Sequence, residues 1–397
     1  MLSLEQARSA ILERVAPATV TEVVSLVEAR NRFAAAELRA QIDNPAFDNS
    51  AMDGYALRAS DLIAANFKLP LAGEAKAGGA PGHLAAGCCM RIFTGAPLPA
   101  GADTVVIQED IKRDGAAIVF PQSVQPDANI RRRGEDFCHD DILFGPGQRL
   151  DAYKLALLAT AGIAQLPVYA RARALVVATG DELVAPGVPL KPGQIYESNR
   201  LATIAQLQDF GIDAVDGGVV GDDPVLLRAL LERSRDYDFV ITSGGASVGD
   251  YDVVKQVFAE IGAIEFWKVK IKPGKPIAFG RIGTRTHFFA LPGNPVSSLV
   301  TYKLFVEPAL TVWHHGTPHE LQLPATAANS FRRHPGRTEF LRARFYSENG
   351  RLLVEVLKGQ GSHMLRPIRD TNGFIRVEAD SSGFAAGETV TLIPLLR

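Results

Sequence analysis

The chain has 397 residues, 47% of them hydrophobic and 22% charged, with a formal net charge of -2. A single core rarely grows that large, so about two to four domains are expected. The near-neutral balance excludes the non-specific attraction that draws basic proteins to nucleic acid or acidic membranes, and no apolar run approaches the roughly 18 residues of a membrane helix.

The first residues, MLSLEQARSAILERV, carry Glu5, Arg8, Glu13 and Arg14 among apolar residues at helical spacing. That pattern is an amphipathic helix and not a secretion signal. Residues 1 to about 40 read as helix in two pieces divided at Pro17, the second from about Val20 to Arg39. Pro45 and the polar cluster Asp43 to Ser50 end the pattern. From Ala51 to about Pro126 the signals are short strands, clearest at Val105 to Ile107 and Ala117 to Phe120, among dense glycine and proline. The three cysteines, Cys88, Cys89 and Cys138, are too few for a disulfide framework, and the adjacent pair has no metal-site spacing. They read as small buried hydrophobes in a reducing, cytoplasmic protein. The basic run Arg131 to Arg133 is a candidate local anion site. Helix returns from Asp151 to Ala161, with Gly162 as its C-terminal cap. The expectation is a β domain over 46–126 inserted into a helical linking domain made of 1–45 with 127–168.

At Arg173 the pattern changes. Ala174 to Ala178 is a continuous apolar run, as in a strand buried on both faces. A helix over Asn199 to Phe210, a strand over Ala214 to Val220, and a helix opened by Asp223 and Pro224 follow. Then come the strand Asp238 to Thr242 and a helix from Asp252 to Ile261. Alternating strand and helix predicts an open parallel α/β sheet over 169–320, with ligands at the carboxyl ends of its strands. After Pro324 the segments Phe340 to Phe345, Leu352 to Leu357, Gly373 to Glu378 and Thr389 to Leu395 predict a C-terminal β-barrel over 321–397. No internal repeat is visible.

Several loops carry groups suited to chemistry. Thr242-Ser243-Gly244-Gly245-Ala246-Ser247-Val248-Gly249-Asp250-Tyr251-Asp252 joins a buried strand to a helix. Its glycines let backbone N–H groups converge on an anion, and carboxylates beside a phosphate suit a bridging Mg²⁺. A tight turn with solvated aspartates would use the same residues. Lys270 to Pro276 is a rigid turn bearing Lys272 and Lys275. Leu291 to Ser298 places Asn294 at an N-cap, Pro295 at the first helical position, and Ser297 and Ser298 in the first turn. Two lysines beside hydroxyls and a helix start form a pocket for a tetrahedral oxyanion, or simply a well-capped core helix. Thr179-Gly180-Asp181-Glu182-Leu183 and Asp222-Asp223 put more carboxylates at strand ends, which suits metal binding or proton transfer. In the N-terminal half, Asp48 to Ala56 and Arg91 to Asp103 are polar Gly/Pro loops. They read as turns or as groups reaching the α/β site across a domain or subunit boundary.

NSAMDGYA (Asn49–Ala56), RIFTGAPLPAGADTVV (Arg91–Val106), RRRGEDF (Arg131–Phe137), TGDEL (Thr179–Leu183), SNR (Ser198–Arg200), SGGASVGDYD (Ser243–Asp252), IKPGKP (Ile271–Pro276) and LPGNPVSS (Leu291–Ser298) occur in that order. Together they resemble the molybdopterin molybdenumtransferase family, the MoeA proteins and the gephyrin E-domain, and Gly336 to Ala343 is similar to the family's fourth domain. The resemblance implies four domains: a MogA-like parallel-sheet α/β domain, an inserted β domain, a helical linking domain and a C-terminal β-barrel. It implies an elongated homodimer whose active site lies between the α/β domain and the other protomer's β domain. The implied reaction ligates molybdate to the dithiolene of adenylylated molybdopterin, with Mg²⁺, releasing AMP and molybdenum cofactor. By motif, Asp53 and Thr94 belong to the trans side. Glu182, Asp222 and Asp252 bind metal or the reacting phosphoanhydride. Ser243, Gly244, Gly245, Ser247, Gly249 and Asp250 hold the anionic ligand. Lys272, Lys275, Ser297, Arg342 and Ser362 surround molybdate, and Pro292 and Pro295 shape that pocket. Partners implied are a MogA-type adenylyltransferase and molybdoenzyme apoproteins, with no nucleic acid and no membrane. A tungstate-preferring relative and a non-catalytic dimeric scaffold are the competing readings; the acidic set Glu182, Asp222 and Asp252 favours catalysis.

Overall fold

A computed structural model describes residues 1–244, 253–266 and 268–395. The helix Leu4–Leu12 forms as expected. Ser3 caps it, and Gln6 returns the bond to the Ser3 backbone, so two otherwise unpaired donors are satisfied. It packs on the α/β unit: Leu4, Ala7 and Ile11 share one core with Val176, Phe239, Phe289 and Trp313.

The second expected helix, Val20 to Arg39, is absent. Thr21–Ser25 is a strand, antiparallel to Gln165–Tyr169, and Leu26–Ala29 is a single 3-10 turn. The run Val20-Thr21-Glu22-Val23-Val24 is β-branched, which disfavours helix, and a returning strand is available to pair with it. Further short ladders join Leu38–Arg39 to Ile142–Phe144 and Asn49–Ser50 to Ile130–Arg131. The chain therefore leaves and re-enters the linking unit along paired strands. The helix Ala152–Thr160 and Gly162, at φ +83, complete it.

Between those ladders lies a six-stranded sheet. Its order is Thr104–Ile107, Gly54–Leu57, Cys89–Ile92, Lys68–Ala75, Ala117–Val119, Lys112–Asp114. Gly54 has no room for a side chain, because a Cβ there would lie 2.1 Å from the Val106 carbonyl oxygen. Cys89 is buried in this sheet, Cys88 is half-buried and Cys138 is exposed.

The α/β unit is built on strands Asp213–Val220, Arg173–Thr179, Phe239–Ser243 and Thr286–Leu291, all parallel, in that spatial order. Two antiparallel strands, Ala278–Ile282 and Gly262–Phe266, extend one edge. Helix Asn199–Phe210 ends at Gly211, in the left-handed region at φ +100. A continuous helical stretch follows the last parallel strand, as Pro295–Thr301, a π-helical segment Tyr302–Val306, and Glu307–Trp313.

The C-terminal region closes into a five-stranded barrel of Thr338–Glu348, Arg351–Val356, Leu323–Ala327, Thr389–Pro394 and Gly373–Val377. Alternate residues Leu341 and Ala343 face its interior, while Phe340 joins the α/β core. Among the described residues no helix is long and apolar enough to cross a membrane.

Candidate functional site

Four loops meet at the carboxyl ends of the parallel strands. Ser243 ends its strand and is buried, paired in register with Ala178 and Leu291. Gly244 follows at φ +92, where a Cβ would lie 2.4 Å from the Thr179 carbonyl oxygen, so only glycine fits. Its N–H donates to the Leu291 carbonyl at 3.2 Å. Gly293 is a packing neighbour: a Cβ there would make an ordinary contact with the Gly244 Cα at 3.6 Å. The Asn199 side-chain amide donates to the Gly293 carbonyl at 2.7 Å. Ser243 and Gly244, the LPGNP loop and Asn199 are thus in direct contact. Gly245, Ser247, Gly249, Asp250 and Asp252, expected to line the anion loop, lie outside the described residues.

The carboxylates next to this surface crowd one another. Asp181 Oδ1 accepts the Asp222 N–H at 3.0 Å, against Gly221, where a Cβ would be 2.6 Å from that oxygen. The Glu182 carboxylate folds back over Gly180, whose Cβ would lie 2.6 Å from its Oε2. Burial, with the charges of Asp181 and Glu182 adding, raises the Asp222 carboxyl above its ordinary value. Among the described residues, no three His, Cys, Asp or Glu side chains converge tightly enough to hold a metal ion by themselves. The crowding still fits a cation chemically, because a divalent ion would relieve the repulsion that raises Asp222.

The expected oxyanion side takes a more particular form. Asn294 occupies the N-cap, but its side chain makes no capping bond. The first-turn N–H of Val296 donates instead to the Ser362 carbonyl at 3.1 Å, so that donor faces the barrel and not an open anion site. Ser297 and Ser298 are buried beneath the turn, flanked by Pro292 and Pro295. The KPGKP turn leans on the same helix: at Gly274, φ +109, a Cβ would lie 2.5 Å from Thr301 Cγ2. Lys275 is half-buried on this turn, and no ion pair involves it among the described residues. Lys272 is not free beside it. Its Nζ lies 2.8 Å from Glu339 Oε1, a buried carboxylate that no local motif singles out.

Arg342 is buried on the strand that carries Glu339. Its Nη2 donates to the carbonyls of Gly359 at 2.5 Å and Gly361 at 3.1 Å, next to Ser362. Its Nε and Nη1 have no partner among the described residues. Burial pushes the guanidinium below its ordinary value. Unpartnered buried donors are costly and mark a place where a ligand or water belongs. A chain of contacts therefore joins Arg342, Gly361, Ser362 and the start of the helical stretch at Pro295.

In the inserted β unit, the Thr94 N–H and hydroxyl both donate to Asp53 Oδ1 at 2.8 Å. No hydrogen bond or ion pair among the described residues ties this turn to the α/β loops within the chain. In the run Arg131 to Arg133, Arg132 pairs with Asp48 and Asp127, and Arg133 with Asp43. Arg132 thereby ties the linking unit to Asp48 of the inserted one, and Arg131 is exposed with no ion pair among the described residues, so the run is committed only in part.

Three family models cover the chain. The MoeA N-terminal region, domains I and II, matches residues 2–162; a probable molybdopterin-binding domain matches 175–312; the MoeA C-terminal region, domain IV, matches 324–395. A molybdopterin molybdenumtransferase of Haemophilus influenzae is 39% identical over 99% of this chain and 98% of its own. Molybdopterin molybdenumtransferase 2 of Mycobacterium tuberculosis is 37% identical over 92% of each chain. The solved molybdopterin biosynthesis moeA protein of Pyrococcus horikoshii superposes with a TM-score of 0.83 at 29% identity, covering 99% of this chain and 100% of that one.

Proposed function

The chain belongs to the molybdopterin molybdenumtransferase (MoeA) family, and from that premise we propose that it inserts molybdenum by binding molybdate between the α/β loops and the barrel, with adenylylated molybdopterin as co-substrate and AMP as a product. The observation that carries this reading is Arg342: a buried guanidinium with two donor atoms that find no partner among the described residues, joined through the Gly359–Ser362 loop to the Pro295 helix start. Molybdate is a tetrahedral dianion. Planar guanidinium donors, ammonium groups and hydroxyls suit it, and a carboxylate-lined site would not.

In this reading Arg342, Lys272, Lys275, Ser297 and Ser362 form the oxyanion wall, and Pro292 and Pro295 keep its backbone rigid. Ser243, Gly244, Gly245, Ser247, Gly249 and Asp250 belong to the loop that would take the phosphate side of the pterin substrate. Glu182, Asp222 and Asp252 are the groups that would hold Mg²⁺, which when bound neutralises the charge of the phosphoanhydride. The protein supplies no covalent nucleophile, because the dithiolene sulfurs themselves are the ligands that capture molybdenum. What the chain contributes is proximity: two anions that repel in water are held side by side, molybdate by the cationic wall and the phosphates by the glycine loop with the Mg²⁺ that the carboxylates would hold.

The working unit in this reading is a homodimer, in which Asp53 and Thr94 of a second copy close the site. Equilibrium binding of molybdate to the purified protein tests the wall. Wild type should bind saturably and Arg342→Ala should lose most of that affinity; equal binding by the two proteins rejects the assignment.

A further inference from the structure

The barrel enters the α/β unit at one strand. Ile271–Lys272 runs parallel to Thr338 and Glu339, as an added strand beside the five of the barrel. The Thr338 N–H donates to the Lys270 carbonyl at 3.1 Å, and Arg337 Nη1 to the Ile271 carbonyl at 3.3 Å. This register brings Lys272 Nζ within 2.8 Å of Glu339 Oε1. The two ends of the pair differ sharply, since the Lys272 side chain is 49% exposed and that of Glu339 only 4%.

A carboxylate withdrawn from water needs a cationic partner. Arg333 already supplies one, with Nη1 at 3.2 Å from Glu339 Oε2. Arg333 is itself immobilised, donating to the carbonyls of Arg337, Glu378, Ala379 and Ser381. Glu339 is therefore compensated without Lys272, and the pair with Lys272 is not needed to keep it buried. An ammonium carries three N–H donors, so the bond to Glu339 leaves the others for a ligand. A free lysine loses much rotamer entropy when it closes on an anion. A fixed carboxylate at its tip removes that freedom beforehand.

We propose that Glu339 is a positioning residue for Lys272, holding its ammonium at the rim of the oxyanion pocket and so setting the affinity for a tetrahedral dianion. The proposal rests on the reading of Lys272 as part of that pocket. Arg342 stands on the same barrel strand as Glu339. They stand three positions apart, so their side chains leave opposite faces of that strand, and Lys272 is tied to the Glu339 face alone.

A double-mutant cycle on the full-length protein tests this. Molybdate half-saturation is measured by equilibrium binding and by initial rates of AMP release, for wild type, Glu339→Gln, Lys272→Met and the double variant. Glutamine still offers Arg333 an acceptor. If Glu339→Gln does not fold, Glu339→Asp replaces it, keeping the buried charge but drawing it back from Lys272. Glu339→Gln should raise the half-saturating molybdate concentration about fivefold, with the maximal rate within about twofold, and should add nothing on the Lys272→Met background. An unchanged or lowered half-saturation, or an equal effect in both backgrounds, overturns the proposal. A wild-type protein that shows no molybdate saturation overturns the functional reading itself, and the proposal with it.

Discussion

The side-chain amide of Asn199 donates a 2.7 Å hydrogen bond to the carbonyl of Gly293, tying the start of one helix to the loop that opens another. The bond runs from SNR to LPGNP, segments far apart in sequence. It holds the loop against Gly244 and fixes where the Pro295 helix begins. Asn199→Asp keeps the shape of the side chain but removes the donor. That variant should weaken molybdate binding about tenfold, in line with an unmet carbonyl facing a like charge, while the thermal midpoint stays within a few degrees. Binding equal to wild type would show that the loop holds without this bond.

Gly274 is constrained twice, by φ +109 and by Thr301 Cγ2, which would lie 2.5 Å from an added Cβ. Gly87, at φ +70, has open space around it. Gly274→Ala should therefore cost about 3 kcal/mol and Gly87→Ala about 1 kcal/mol. Thermal midpoints should fall in the order wild type, Gly87→Ala, Gly274→Ala. The reverse order would mean that the KPGKP turn relaxes freely away from the helix.

The Thr94 N–H and then its hydroxyl hold the Asp53 carboxyl below the usual carboxylate range, with the Arg91 charge adding. Because the folded value is depressed, the stabilisation is present above the ordinary carboxyl pKa and is lost as pH falls through the folded one. Thr94→Val removes the hydroxyl and keeps the amide. NMR titration of Asp53 in that variant should move upward, toward but not to the ordinary value. No movement would assign the whole effect to the backbone donor.

Burial, with Cys88 nearby, pushes the Cys89 thiol up to about 12. At pH 8 a soluble disulfide reagent should label exposed Cys138 quickly and leave Cys89 unmodified in the native state. Rapid labelling of Cys89 would mean that the inserted sheet opens locally.

Much of this architecture is legible in the sequence where one local rule acts alone. Asn199–Phe210 is read correctly because Gly211 stops it, and Arg173–Thr179 because a short apolar run holding two valines and followed by Gly180 suits a buried strand better than a helix. Thr21–Ser25 is misread as helix, since the Leu, Glu and Ala around it mask a β-branched core whose partner strand, Gln165–Tyr169, lies far along the chain. The site follows the same division. Lys272 and Arg342 are visible as motif residues. Glu339 is not visible as a site residue, because its importance arises from a register between the α/β loop and the barrel that no local pattern encodes. Likewise the commitment of the Val296 donor to Ser362 depends on a loop that returns from the barrel.

The most direct test of the account is AMP release by the purified protein supplied with adenylylated molybdopterin and Mg²⁺, measured against molybdate concentration. The account predicts release that rises and saturates with molybdate, with half-saturation shifted upward in Arg342→Ala. AMP release that is absent, or present and indifferent to molybdate, would contradict it.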